Sequence, residues 1–281
     1  MNSAPKVVTV HDMTGFGRCS LTVVLPVLAA MGAQCCPIPT AYLSAHTAFP
    51  HSDSSTFLDM TNQLAHVGDH WAELGVSPDA IYSGFLGSAE QIGLLLDLIH
   101  RFRRPDTLVL VDPVMGDWGQ PYRTYTSEMC ARMCELAAEA DVITPNLTEA
   151  ALLLGEPYCP HLEEEQARDW VTRLSLGGKR AVVLTGISTA PGKVGSACLD
   201  RESGKIYFTM AKQEEGQFPG TGDLFAGVLL GCLLRGEDLQ SANISAVTFV
   251  QKCVARTLAL GTPALEGVQF EAMLGMLTES E

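Results

Sequence analysis

Short apolar runs rich in β-branched residues alternate with stretches of helical spacing along the chain. Residues 6–10 form the first such run and predict a buried strand. A glycine turn follows, then helical spacing that ends near Gly32, with Pro26 predicting either a kink or the true start of that helix. Residues 34–38 predict a second strand, and 40–47 a polar and aromatic loop long enough to line a pocket. Helical spacing over 57–74 stops at Gly75. Residues 80–83 read as a short strand. Ser88 then caps a helix that carries Arg101, Arg103 and Arg104 at its C-terminal end. Residues 107–111 are apolar, as in a parallel strand buried on both faces. A loop of Gly, Pro and Tyr at 118–125 has no periodicity and predicts a cover over a site. Beyond it come helix 127–140, strand 141–144, a helix opened by Pro145, amphipathic helix 163–176 and strand 181–186. Residues 194–199 and 206–210 predict a strand pair turning at Ser203-Gly204. Helices from Gly220, over 242–260 and over 270–277 complete the chain.

This alternation predicts an α/β fold with a mostly parallel central sheet and helices on both faces. No linker, repeat or low-complexity stretch interrupts it, so residues 1–281 read as a single domain. In such sheets ligands bind at the carboxyl ends of strands. Four segments that reach that edge carry polar chemistry: Asp112–Asp117, Thr144–Glu149, Thr185-Gly186 and Gly220–Asp223.

The last of these is the most informative. Gly220-Thr221-Gly222-Asp223 runs into a helix apolar nearly all round, which predicts burial. Gly227 and Gly231, one turn apart, leave a smooth face for a close neighbour. Two glycines at a helix N-terminus let N–H groups converge on an anion, phosphate above all. Asp223 beside them could take a proton from a hydroxyl while those groups hold the phosphoryl group it attacks. The plainer reading is that Asp223 caps its own helix. Asn146 and Glu149 have a plain reading too, as an N-cap and first-turn pair. Asp112 and Asp117, around Pro113 and Gly116, could hold a phosphate-bound Mg²⁺ or form an ordinary acidic turn. Gly15-Phe16-Gly17 invites a dinucleotide reading, but Ser20 stands where the third glycine belongs.

A net charge of −14 argues against nucleic acid and anionic membranes as partners, though not against ATP in a local nest of N–H groups. No apolar run is long enough to span a bilayer, and the first residues lack signal-peptide anatomy, which points to the cytoplasm. Nine cysteines without a C-x-x-C pair read as reduced thiols. His66 and His70 lack the glutamate of a metalloprotease helix and read as solvent-facing.

Four motifs together resemble the ribokinase-like superfamily, and within it the pyridoxal kinases, over nearly the whole chain. Asp112-Pro113-Val114-Met115-Gly116-Asp117, Thr144-Pro145-Asn146-Leu147-Thr148-Glu149 and Gly220-Thr221-Gly222-Asp223 are similar to superfamily motifs. Ser44-Ala45-His46-Thr47 is similar to the Ser-Asn-His-Thr of pyridoxal kinases, with Ala45 in place of Asn. The resemblance implies an ATP-dependent kinase acting on the 5′-hydroxymethyl group of a vitamin B6 vitamer. Asp223 would be the base, and the backbone of Gly220, Thr221 and Gly222 the anion cradle. Asp112, Asp117 and Glu149 would surround Mg²⁺, mostly through water. Asn146, Thr185 and Asp112 would face the ATP phosphates, and Phe218 the base. Ser44, His46, Thr47, Tyr125 and His11 would surround the acceptor. The resemblance also implies a homodimer and a need for Mg²⁺, often with K⁺. Besides Ala45, the chain departs at and before the first loop, where Thr9-Val10-His11 replaces Gln-Ser-His and a serine expected against the pyridine is missing. Two rivals stay open: a hydroxymethylpyrimidine kinase of the same superfamily, and a non-catalytic vitamer- or nucleotide-binding protein.

Overall fold

The computed structural model describes residues 3–278; Met1, Asn2 and 279–281, the ends of the expected single-domain span, lie outside the described residues. The strands are β1 (Lys6–Thr14), β2 (Gln34–Leu43), β3 (Phe57–Asp59), β4 (Ala80–Ser83), β5 (Leu108–Val111), β6 (Gly116–Asp117), β7 (Gln120–Pro121), β8 (Val142–Ile143), β9 (Ala181–Ile187), β10 (Lys193–Leu199) and β11 (Ile206–Lys212). The helices are α1 (Leu21–Ala30), α2 (Thr61–Glu73), α3 (Ala89–Phe102), α4 (Ser127–Ala138), α5 (Leu147–Leu154), α6 (Glu164–Leu174), α7 (Thr221–Leu234) and α8 (Leu239–Leu260). One sheet takes nine strands in the order β11-β10-β9-β8-β5-β4-β1-β2-β3, while β6 and β7 form a separate hairpin. The pairings from β2 across to β9 are parallel; β3 and β10 run antiparallel to their neighbours.

The central strands explain themselves. Alternate residues of a strand face opposite sides, so a strand covered by helices on both faces must be apolar at every position. Val8, Ile81, Val109, Val111, Ile143 and Val182 enter one core layer. Val7, Ala80, Leu110, Val142 and Val183 enter the other, with the buried faces of α1, α7 and α8. The smooth face of α7 meets α1: Gly227 lies against Val27, and Gly231 against the thioether of Met31. Pro26 does not start α1; it sits inside the helix.

Several boundaries differ from expectation. β1 and β2 each run past the apolar residues, to Thr14 and Leu43, because their polar ends still pair with each other: His11 opposes Pro39 and Met13 opposes Tyr42. The expected pocket loop 40–47 therefore begins as strand. Phe57–Asp59 is an edge strand on β2 rather than the first turn of a helix. Pro145 precedes the cap of α5 instead of opening the helix. The cover segment 118–125 contains a small hairpin, and the last element is a 3-10 turn at Glu271–Met276. No described helix is long and apolar enough to cross a membrane.

Candidate active site

α7 begins at Gly220, whose φ of 81° is left-handed and suits glycine. No side chain caps this helix. Asp223, in its first turn, reaches away from it: Oδ2 accepts the Ser20 N–H at 2.8 Å and lies 3.5 Å from the Cys19 thiol. The capping reading of Asp223 thus fails. The helix is left with N–H groups at its start that no side chain satisfies, beside a carboxylate tied down from elsewhere. The Thr221 hydroxyl donates to the Phe218 carbonyl and holds the approach to this turn. The Phe218 ring folds back over Gly216.

Asp223 is almost fully buried. Burial pushes its carboxyl up to about 6, helped by the nearby charge of Asp12 and opposed by the Ser20 N–H. Beneath it, His11 on β1 is completely buried, wedged edge-on against Tyr82 at 4.4 Å and against Gly84, where a Cβ would collide with the imidazole. His11 Nδ1 stands 4.0 Å from Asp223 Oδ1. Burial lowers the imidazole to about 3, so the ring is neutral and the approach is not an ion pair. Neither ring nitrogen has a hydrogen-bond partner among the described residues. His11, expected at the acceptor, underlies the carboxylate here, because β1 extends past it.

At the end of β5, Asp112 Oδ1 accepts the Thr144 hydroxyl at 3.1 Å, and Oδ2 faces Gly222 across α7. Burial, then the charge of Asp223, pushes Asp112 up to about 8. Asn146 and Glu149 form a complete capping box on α5: Asn146 Oδ1 accepts the Glu149 N–H at 2.9 Å, and Glu149 Oε2 accepts the Asn146 N–H at 2.8 Å. The plain reading of that pair holds. Asn146 Nδ2 also donates to the Gly116 carbonyl at 2.9 Å, tying the hairpin to α5. Glu149 is buried and raised, first by burial and then by Asp112. Asp117 is also raised by burial, and its Oδ1 accepts the Trp118 N–H. Thr185 lies at the same edge on β9, its N–H donating to the Pro145 carbonyl at 2.9 Å.

Among the described residues no three His, Cys, Asp or Glu side chains gather into a direct metal cage. The donor set nevertheless suits a hydrated cation. Three carboxyls are each pushed upward by burial, so added positive charge would be favoured there.

The acceptor residues divide. Ser44 Oγ accepts the Thr56 N–H, and Thr47 is exposed. His46 is fully engaged within the protein: Nε2 donates to the Leu265 carbonyl at 2.7 Å and Nδ1 accepts the Ala48 N–H at 3.3 Å. Its ring packs on Phe49, which in turn meets Phe16. Tyr125, expected at the acceptor, is buried in the core layer that also holds Leu86 and Met129. Residues that sequence reasoning passed over now matter. Asp12 is buried and accepts the hydroxyls of Ser20 (2.5 Å) and Thr14 (2.9 Å). Ser20, noted only as a missing glycine, has a left-handed φ of 54°. A cleft of about 460 Å³ opens between Trp118 at the hairpin tip, Gly192 and residues 213–217.

The family profile for phosphomethylpyrimidine kinase matches residues 28–267. A pyridoxine/pyridoxal/pyridoxamine kinase from Bordetella avium is 32% identical over 259 residues, covering 89% of this chain and 85% of that protein. A Bacteroides thetaiotaomicron protein, named for phosphomethylpyrimidine kinase and crystallised with pyridoxal, superposes with a TM-score of 0.93 at 38% identity, over 98% of this chain and 96% of its own. The pyridoxal kinase of Lactobacillus plantarum superposes at 0.89 with 30% identity, over 97% and 96%.

Proposed function

We propose that this chain, which belongs to the phosphomethylpyrimidine kinase family of the ribokinase-like fold, transfers the γ-phosphoryl group of ATP to the 5′-hydroxymethyl group of a vitamin B6 vitamer. The observation that carries the chemistry is the geometry of Asp223: a buried carboxylate beside an uncapped helix N-terminus. A carboxyl with a value of about 6 is mostly ionised at neutral pH, yet basic enough to accept a hydroxyl proton as the bond to phosphorus forms. The N–H groups of Thr221, Gly222 and Asp223 face charge that develops on the transferred group. Transfer is direct and in line, with no covalent intermediate, because positioning and charge stabilisation suffice. A non-catalytic binding protein has no use for a base held this way.

Asp112, Asp117 and Glu149 would hold Mg²⁺ through water against the nucleotide phosphates, where it neutralises their charge. Asn146 and Thr185 border the phosphates from the same sheet edge in this reading. The cleft at Trp118 and 213–217 receives the nucleoside, since its wall leads straight into Phe218 and Gly220. His46, Thr47 and Ser44 shape the acceptor side as a loop held from behind. K⁺ dependence, a homodimer, a single domain over 1–281 and a cytoplasmic setting belong to the same reading. The nine unpaired cysteines support the last of these.

The Bacteroides neighbour crystallised with pyridoxal favours a vitamer over hydroxymethylpyrimidine. ADP release with ATP and Mg²⁺ over pyridoxal, pyridoxamine, pyridoxine and hydroxymethylpyrimidine decides between them. Turnover on a vitamer is expected. Turnover on the pyrimidine alone would overturn the acceptor while keeping the kinase.

A further inference from the structure

We infer that Arg18 is a positioning residue for phosphoryl transfer, and that the segment 264–271 is a working part of the catalytic centre. The inference rests on Asp223 being the base. It starts from Ser20, whose N–H holds the Asp223 carboxylate at 2.8 Å. To aim that N–H, Ser20 adopts φ 54° and ψ −131°, a conformation costly for any residue with a Cβ. Such a conformation persists only where its surroundings fix it. The Ser20 hydroxyl is held by Asp12 at 2.5 Å. The chain on the other side is held by Arg18.

Each nitrogen of Arg18 donates a hydrogen bond to that one segment. Its backbone N–H and its Nη1 both donate to the Glu266 carbonyl, each at 3.1 Å. Nη2 donates to Gln269 Oε1 at 3.0 Å, and Nε to Glu271 Oε1 at 2.5 Å. Its own carbonyl presses on Gly220 and Gly267, where a Cβ at either position would collide with it. The segment is anchored in turn on α8, through the Gln269 N–H to the Thr257 hydroxyl at 2.8 Å. It also receives His46 at the Leu265 carbonyl. One short stretch therefore fixes three things at once: the acceptor loop, the loop that holds the base, and the first residue of the anion cradle.

The Arg18–Glu271 pair is half-open to solvent, with side-chain exposures of 23% and 52%. Pairs of that kind add little to stability. Their value here lies in geometry, and this gives the inference its test. Replacing Arg18→Ala in the full chain should cut kcat by about tenfold to a hundredfold, the scale of a misplaced reacting group, while KM for ATP moves less than about threefold and the melting temperature only slightly. Arg18→Lys should restore part of kcat, since one ammonium cannot reach three acceptors together. Combined with Asp223→Asn, Arg18→Ala should cost much less than it does alone, because most of its effect runs through that one carboxylate. A kcat within twofold of wild type, a loss seen only in KM, or a loss that multiplies with that of Asp223→Asn each overturns the inference. Should Arg18→Ala fail to fold, Glu271→Gln removes one grip and carries the same kcat-against-KM readout. If Asp223→Asn by itself keeps wild-type turnover, the base assignment has failed instead.

Discussion

Replacing Asp223→Asn should make this enzyme slower and its fold more stable, and both effects can be sized. Asparagine keeps the shape and an oxygen to accept the Ser20 N–H, but it cannot take a proton. Loss of a general base costs about 10²- to 10⁴-fold in turnover. The stability term follows from burial. The carboxyl rises from 3.8 to about 6 on folding, so the folded chain binds this proton more tightly than the unfolded chain does. As pH rises through that interval, the unfolded state releases the proton first, and folding loses stability. Well above pH 6 the full cost is in place, on the order of 3 kcal/mol; it shrinks to about a third of that at pH 4.5 and vanishes below about pH 3. The neutral asparagine escapes it. ADP release measures the first effect, and urea unfolding at pH 4.5 and pH 7.5 the second. Turnover within threefold of wild type would refute the base. A stability gain equal at both pH values would refute the burial argument, because only a titrating group gives a gain that appears with rising pH.

Three further outcomes follow from the same coordinates. The wild-type kcat/KM should fall about tenfold per pH unit below pH 6, an acid limb that the residual rate of Asp223→Asn lacks, whereas an aspartate at its ordinary value would leave the profile flat to about pH 4. Arg180→Leu should destabilise by about 2–6 kcal/mol in urea with kcat preserved, since its buried guanidinium closes the ends of two helices, at the Ala137 carbonyl on α4 and the Leu174 carbonyl on α6, and its loss leaves both carbonyls unsatisfied. Gly231→Ala should cost about 1–3 kcal/mol by overpacking against Met31, and Met31→Ala in the same chain should return part of it, read as a coupling energy in thermal melts.

What was legible in the sequence was the part of the fold that physics makes repetitive. A strand buried on both faces has to be apolar throughout, so 107–111 announced its place in the middle of the sheet, and β5 occupies 108–111. Boundaries blurred where a strand end carries chemistry. His11–Thr14 and the end of β2 are too polar for the pattern, yet they pair, across a register shift between His11 and Met13, because both strands are still inside the sheet. Phe57 and Leu58 misled in the opposite direction. They extend the apolar spacing of α2 backwards, but they lie exposed on an edge strand.

The site divides along the same line between local and distant. Residues whose role is set by their neighbours in sequence could be read directly: Asn146 and Glu149, three apart, close a capping box, and Gly220 turns the chain into α7. Residues whose role is set by a partner far along the chain could not. Asp223 looks like a cap until Ser20, 203 positions away, is seen to hold it. The resemblance places His11 and Tyr125 at the acceptor, and both side chains lie buried in the fold. His46 is the instructive case. Its neighbours marked it for the acceptor, but both its ring nitrogens are committed to backbone groups, one of them 219 positions away at Leu265. A histidine so engaged can shape a pocket and cannot offer a free nitrogen to a ligand without first giving up one of those bonds.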